Sequence, residues 1–464
     1  MPDAAEELAH ARRAYLVAAA GCGKTTAVAM AAGVHSEGRQ LVLTHTHAGV
    51  KALRNRLQEV GAERREVHVD TIAGFALRYA ASFPRTSGLA SSEPATADEW
   101  ASVYDAGRRV FEGRAGKSIL KESYAGIYID EYQDCVRSQH DLVMAMAEVL
   151  PCRVVLDPLQ GIFGFAGELV SCDDDLADFD AVGDLTTPWR WQRTNPELGE
   201  WLVAVRDDLD HGRPIDLTGA PIGRGDSSPA SKISACLGLA GAGGSVVAIG
   251  QWPRDCHSIA TRLRGAYTCM EPMECPDLMS WATKLQESTG TARAAALIEF
   301  ANKCMTRVGT VLGGAAESFR AGSVPPVRGG LETRAAVEAL TEVAHEPALA
   351  PVSAAMAAIE QIPGRVLYRR ELWREMARTL RVFGSDGHPT LPGAAWHVRD
   401  RGRHAGRRVE HRTVSRTLLV KGLEFDHAIV LDADAHDPAN LYVALTRGSS
   451  SVTVLSKGDS VRPG

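Results

Sequence analysis

An α/β fold of two parallel-sheet units carrying helical insertions is what this sequence predicts. Three observations lead there. Short apolar runs alternate with amphipathic stretches of helical spacing, the order that puts helices on both faces of a parallel sheet. The alternation appears at the start of the chain and returns near its end. At 464 residues the chain also exceeds a single ordinary core, so at least two domains are expected.

Taken in order, residues 15–17 (Tyr-Leu-Val) read as a buried strand, followed by small residues and a helix over 27–32. A second strand is expected at 40–44. A helix follows over 48–57, with Leu53 and Leu57 on one face. Residues 67–71 read as a third strand and 75–81 as an amphipathic helix. The polar stretch 82–124 reads as a helical insertion outside the core. Strands at 127–130 and 153–156 flank a helix over 138–150, completing a first unit over 1–183. The second unit, 184–464, begins with a Gly/Ser/Pro-rich loop over 213–231, a strand at 246–249 and a helix over 256–263. A mostly helical insertion, about 265–396, splits it, with helices at 293–308, 333–343, 352–362 and 370–382 and a Gly/Pro loop over 313–330. The α/β pattern resumes at Thr413, with strands at 427–431 and 452–455.

The chemistry gathers first at residues 18–26, Ala-Ala-Ala-Gly-Cys-Gly-Lys-Thr-Thr. Between a strand and a new helix, small residues let backbone N–H groups close around an anion. The helix start adds unpaired donors and a positive dipole end, Lys24 a charge and Thr25 a hydroxyl for Mg²⁺. Ala20, Gly21, Cys22, Gly23, Lys24, Thr25 and Thr26 are therefore the candidate phosphate-binding residues. Ala18 stands where the G-x-x-x-x-G-K-[ST] pattern has its first glycine. The second signal is Asp130-Glu131-Tyr132-Gln133-Asp134 after an apolar strand. Asp130 falls at the carboxyl edge of the sheet, beside the phosphate loop, where a carboxylate can hold Mg²⁺. Glu131 is suited to deprotonate an attacking water.

Composition excludes other classes. No apolar run approaches the roughly 18 residues of a membrane span, and the first residues carry no basic-then-apolar leader pattern. The nine cysteines are scattered without a C-x-x-C pair, as expected for reduced thiols and a cytoplasmic location. Cys256, Cys269 and Cys275 beside His257 lack metal-ligand spacing. A net charge of −6 argues against indiscriminate coating of nucleic acid but leaves room for a local basic channel. The densest basic run is Arg399, Arg401, Arg403, Arg407, Arg408 and Arg412. It reads as a solvated charged loop, or, more sharply, as a strand-binding edge.

The Asp-Glu-Tyr-Gln-Asp segment resembles the D-E-x-Q-D signature of the UvrD/Rep-like helicases of superfamily 1. Other stretches resemble that family's motifs in the same order: the segment from Leu43 to Leu53, the segment from Val69 to Arg78, Leu156 to Phe165, Thr187-Pro-Trp-Arg190, Val420-Lys-Gly-Leu-Glu-Phe425 and Leu441 to Gly448. The resemblance implies two RecA-like P-loop NTPase domains, ATP and Mg²⁺ as ligands, and stepping 3′ to 5′ on single-stranded DNA. It implies that Thr25 and Asp130 hold the metal, that Glu131 is the base, and that Gln160 touches the γ-phosphate and attacking water. Arg190 and Arg447 would reach the γ-phosphate from the second unit. Glu424 would meet the ribose and Trp189 stack on adenine, unless Trp189 is a core tryptophan. Thr44, Thr46 and Thr71 would hold backbone phosphates. His45 and Phe165 would stack bases, each with a purely structural alternative, and Arg416 stands where the family has a DNA-contacting Thr.

The chain departs from the family in having no glutamine before Gln40 to read adenine, and in Leu418 and Leu419 replacing His-Ser. Its duplex-handling insertions are short, which favours a single-strand motor over a processive unwinder. A DNA-sensing, helicase-like subunit of an anti-phage or repair complex, with a nuclease or repair protein as partner, is the alternative.

Overall fold

The computed structural model describes residues 2–463, except 64, 91–93, 95–96, 165–166, 273–274, 385–387 and 406–408. It contains two six-stranded sheets, each parallel throughout, so the predicted α/β fold class is what the chain adopts.

The first sheet comprises β1 (Arg13–Ala18), β2 (Gln40–Thr44), β3 (Val67–Thr71), β4 (Gly126–Asp130), β5 (Cys152–Leu156) and β6 (Asp180–Leu185), ordered β3-β2-β4-β5-β1-β6. Alternate side chains feed two cores. Leu41, Leu43, Ile127, Ile129 and Val154 face one side, and Leu16, Val42, Tyr128 and Val155 the other. Both faces are covered, which is why these strands read as continuous apolar runs. β6 is the exception: Asp-Ala-Val-Gly-Asp-Leu is mostly exposed, an edge strand held by its register with β1, and it escaped the sequence reading. Asp184, placed at the start of the second unit from sequence, lies within β6.

Residues 82–124 differ from expectation. Helices Ala97–Glu112 and Arg114–Ser123 are part of the first core: Val103, Val110, Phe111 and Leu120 are buried with Phe75, Leu142 and the strand residues. The rings of Phe75 and Phe111 stack 5.7 Å apart. Polar residues dominate the outward faces, which hid the apolar stripe.

The small strands β7 (Ile215–Asp216) and β14 (Ser460–Val461) pair antiparallel. The second sheet takes β8 (Gly223–Asp226), β9 (Val246–Gly250), β10 (Thr268–Cys269), β11 (Arg412–Arg416), β12 (Phe425–Val430) and β13 (Gly448–Ser456), in the order β10-β11-β9-β12-β13-β8. The expected 213–231 loop thus contains two short strands. The expected Gly/Pro loop over 313–330 starts late, because helix Val308–Arg320 runs through Gly313 and Gly314. Between β10 and β11 a helical module builds its own core around Phe300, Trp373, Leu340 and Ile359. Arg369 and Arg399 tie the base of that module. Arg369 donates to Glu271 and Asp277, and Arg399 to Glu375 and the Pro272 carbonyl. Arg412 is likewise spent on the carbonyls of Ala240, Ala242, Gly244 and His411. For these two ends of the basic run the solvated-loop reading is therefore wrong: Arg399 and Arg412 serve the fold. Arg407 and Arg408 lie outside the described residues.

Among the described residues no helix is long and apolar enough to cross a membrane.

Candidate active site

Parallel strands end on one edge, so the first sheet delivers its chemistry to one place. The loop after β1, the turn after β4 and the turn after β5 lie side by side because β5 separates β1 from β4. Lys24 opens helix Lys24–Met30, whose N-cap, Gly23, has φ 95° and supplies no side-chain cap. Gly21 has φ +68°. A Cβ at Gly21 would stand 2.5 Å from Cζ3 of Trp191, so the loop is seated directly on that indole. Thr25 and Thr26 follow in the first helical turn, half-buried.

Lys24 is only 7% exposed, and its Nζ donates to Glu131 Oε2 at 3.0 Å. Burial disfavours its charge, but Glu131, Asp157 and Asp130 outweigh burial and hold the pKa above the ordinary lysine value. Glu131 adopts φ 59°, the left-handed region, and this turn aims its carboxylate back at Lys24. Burial alone would raise its pKa; Lys24 and Lys421 reverse that and bring it down to about 2. Asp130 accepts the Glu131 N–H at 3.0 Å, and burial, reinforced by the Glu131 charge, pushes its pKa up to about 7. A carboxylate destabilised in this way suits a hard cation. Among the described residues no three His, Cys, Asp or Glu side chains form a metal cage. Mg²⁺ at phosphates needs only one or two carboxylates, with substrate oxygens and waters completing its shell. The residues present therefore fit that ion. Cys256 and Cys269 pack in a core against the second sheet, and Cys275 in that of the helical module.

A network absent from the sequence reading supports this edge. Gln133 donates to Glu131 and accepts the Asp157 N–H at 3.0 Å. Asp157, fully buried, accepts from Gln160 Nε2 at 2.6 Å and pairs with Arg206 at 3.5 Å. Gln160 is thus turned onto Asp157. The Cys22 thiol is pushed up to about 12 by burial and then by Asp157, so it stays neutral.

Residues that precede β12 and β13 approach from the second sheet, joined by Arg190 from the segment after β6. The Arg190 backbone N–H donates to Gly21 O at 3.1 Å, and its guanidinium donates to Thr446 O at 2.7 Å and to Glu424. Arg447 is buried and satisfied within its own lobe: it donates to Val443 O, Leu423 O and Thr446 Oγ1 at 2.8, 3.0 and 2.9 Å. Burial and then the Arg190 charge lower its pKa to about 10. Tyr442 accepts the Ala20 N–H at 3.1 Å, a direct bond from the second lobe to the phosphate loop. Lys421 Nζ reaches Asp134 at 2.6 Å and also the carbonyl of Gln160.

Trp189 is 48% exposed, which rules out the core-tryptophan alternative; the core position belongs to Trp191, 1% exposed and donating to Gly448 O at 2.8 Å. A one-turn glycine contact gave no sequence signal to separate the two indoles. Glu424 is exposed apart from its Arg190 partner.

Of the expected strand-binding residues, Thr44, His45, Thr46 and Thr71 follow or end β2 and β3 at the same edge. Thr46 and Thr71 cap helices His47–Glu59 and Ile72–Ser82, accepting from Gly49 N and Gly74 N at 3.0 and 2.9 Å, and Thr44 is buried at the end of β2. The His45 ring stacks on Phe163, 6.4 Å between centroids, and approaches Cys135 Sγ at 3.6 Å. Burial, then the Lys421 charge, lowers its pKa to about 4. Phe165 lies outside the described residues. Arg416 ends β11 in register with Gly250, half-buried.

No protein-family model and no curated protein matches the chain. Among solved structures it is similar to the Pif1 helicase crystal structure from Candida albicans. The TM-score is 0.36 at 9% identity, covering 96% of this chain and 91% of that one.

Proposed function

We propose that this chain is a nucleic-acid-dependent ATPase that steps along single-stranded DNA, of the UvrD/Rep type to which its motifs are similar. One observation carries the reading: Lys24, Glu131 and Asp130 share one sheet edge, and the Arg190 backbone is bonded to the phosphate loop at Gly21.

Lys24 is paired with Glu131. ATP phosphates would compete for that ammonium, and its departure would let Glu131 regain basicity where the attacking water stands. Glu131 then takes the water proton while Lys24 offsets the charge on the transferred phosphoryl group. Mg²⁺, held by Thr25 and Asp130, would neutralise charge on the phosphate oxygens. Gln160 would leave Asp157 to orient the water. Arg190 would exchange its Thr446 and Glu424 partners for the γ-phosphate, drawing the lobes together. Trp189, exposed beside the loop, offers a face for adenine, and Glu424 a carboxylate for the ribose. Thr44, Thr46, Thr71, His45, Phe165 and Arg416 form the proposed DNA edge, and the 3′-to-5′ direction follows from the family resemblance. The lobes correspond to residues 1–183 and 184–464 in this reading.

The decisive measurement is ATP turnover with and without single-stranded DNA, alongside Lys24→Ala. Stimulated turnover that the substitution abolishes is expected. Hydrolysis indifferent to any added strand rejects the motor. Displacement of streptavidin from one labelled end but not the other reads the direction.

A further inference from the structure

We propose that Lys421 is a positioning residue that couples the aromatic pair His45–Phe163 to the turn carrying Glu131. The inference rests on the function proposed above and names the part that links its two ligands.

Lys421 lies between helix Thr417–Val420 and β12, in the second lobe, yet all three of its partners belong to the first. Its Nζ stands 2.6 and 2.5 Å from the two oxygens of Asp134. It also donates to the Gln160 carbonyl and sits 5.3 Å from the centroid of the Phe163 ring. Asp134 closes the turn Tyr132–Asp134 that follows Glu131, and Gln133 in that turn holds both Glu131 and the Asp157 backbone. Gln160 is the residue expected to meet the γ-phosphate. Phe163 carries His45 on its other contact. One ammonium therefore touches the catalytic turn, the backbone of the γ-phosphate residue and the aromatic pair at the proposed DNA edge.

Chemistry makes this contact all-or-none. Both side chains of the pair are nearly sealed from water, at 7% and 2% exposure. Separating them leaves a buried charge without compensation, so the pair moves together or breaks at substantial cost. A base stacking on His45 and Phe163 would displace the ring beneath Lys421 and pull on Asp134, and a shift of the second lobe would do the same from the other side. Two arrangements of one ion pair are then biased by both ligands, which is what physical coupling requires.

The test is ATP turnover of the full chain across a titration of single-stranded DNA. In Lys421→Met the ratio of stimulated to unstimulated turnover should fall about tenfold, through kcat more than through the KM for ATP. Phe163→Ala should lower the ratio similarly, the double variant should be no lower than either single one, and Lys421→Arg should recover part of the loss. A stimulated wild type with an unaltered ratio in Lys421→Met overturns the coupling while leaving the motor intact; so do losses that multiply in the double variant. Should Lys421→Met not fold, Lys421→Arg and Phe163→Ala decide, and a wild-type ratio in Phe163→Ala overturns the inference. A wild type that no strand stimulates removes the functional reading and this inference with it.

Discussion

Seating the phosphate loop on Trp191 makes Gly21 a position where two separate penalties can be read apart. Gly21→Ala places a methyl group 2.5 Å from Cζ3 and 2.8 Å from Cη2 of the indole, at a backbone φ of +68°. The torsion costs a non-glycine residue about 1–2 kcal/mol, and relieving the overlap in a packed site about 1–3 kcal/mol. The single substitution should therefore destabilise the nucleotide-free protein by about 2–5 kcal/mol. Trp191→Phe removes the six-membered ring that carries both clashing atoms. In that background Gly21→Ala should keep the torsional part, about 1–2 kcal/mol, and the 3.0 Å contact with the Arg190 Cβ, and lose the larger indole overlap. Urea unfolding followed by circular dichroism measures all four proteins, and the cycle isolates the contact. An identical penalty in both backgrounds would show that the indole does not support the loop and would refute the packing argument.

Four further outcomes follow from the site. Glu131→Gln should keep nucleotide affinity while turnover drops by roughly 10²–10⁴-fold, and unchanged turnover would remove Glu131 as the base. Arg190→Ala should lower turnover by about 10³-fold or more if its guanidinium serves the transition state, and should lower the melting temperature because it strands the Thr446 carbonyl. Arg447→Ala should lower the melting temperature further, because it strands two carbonyls, those of Val443 and Leu423. His45 has its pKa lowered to about 4 by burial and Lys421. The unfolded chain thus binds the extra proton first, and the His45 contribution to stability should be lost as pH drops from the ordinary histidine range toward 4. His45→Asn should flatten the melting-temperature slope in that window; an unchanged slope would place its origin elsewhere.

Local signals were legible and distant ones were not. β1 with its glycine loop, and β4 ending in Asp130, could be read directly. An apolar run closed by small or acidic residues specifies both strand and edge within ten residues. β6 was invisible because its pairing with β1 comes from register, while its own side chains are mostly exposed. Helix Ala97–Glu112 was misjudged as peripheral because its core face is a narrow stripe within a polar stretch. The bonds that join the lobes, Ala20 to Tyr442 and Asp134 to Lys421, span several hundred residues and leave no local pattern. Arg190 and Arg447 illustrate the intermediate case. The placement of Arg190 beside the loop could be expected from motif similarity, but the partners of the two guanidinium groups, carbonyls, a hydroxyl and the Glu424 carboxylate, could not.

Glu131 is one of four non-glycine residues among those described with a positive φ, and a carboxylate side chain gains nothing from that torsion in packing. Glycine there would relax the turn and delete the acid in the same stroke. The torsion relieved, about 1–2 kcal/mol, is smaller than the cost of leaving the buried Lys24 ammonium without its carboxylate, so the bent backbone at position 131 is kept by the ion pair it closes, and a search for heat-tolerant variants should leave this residue unchanged.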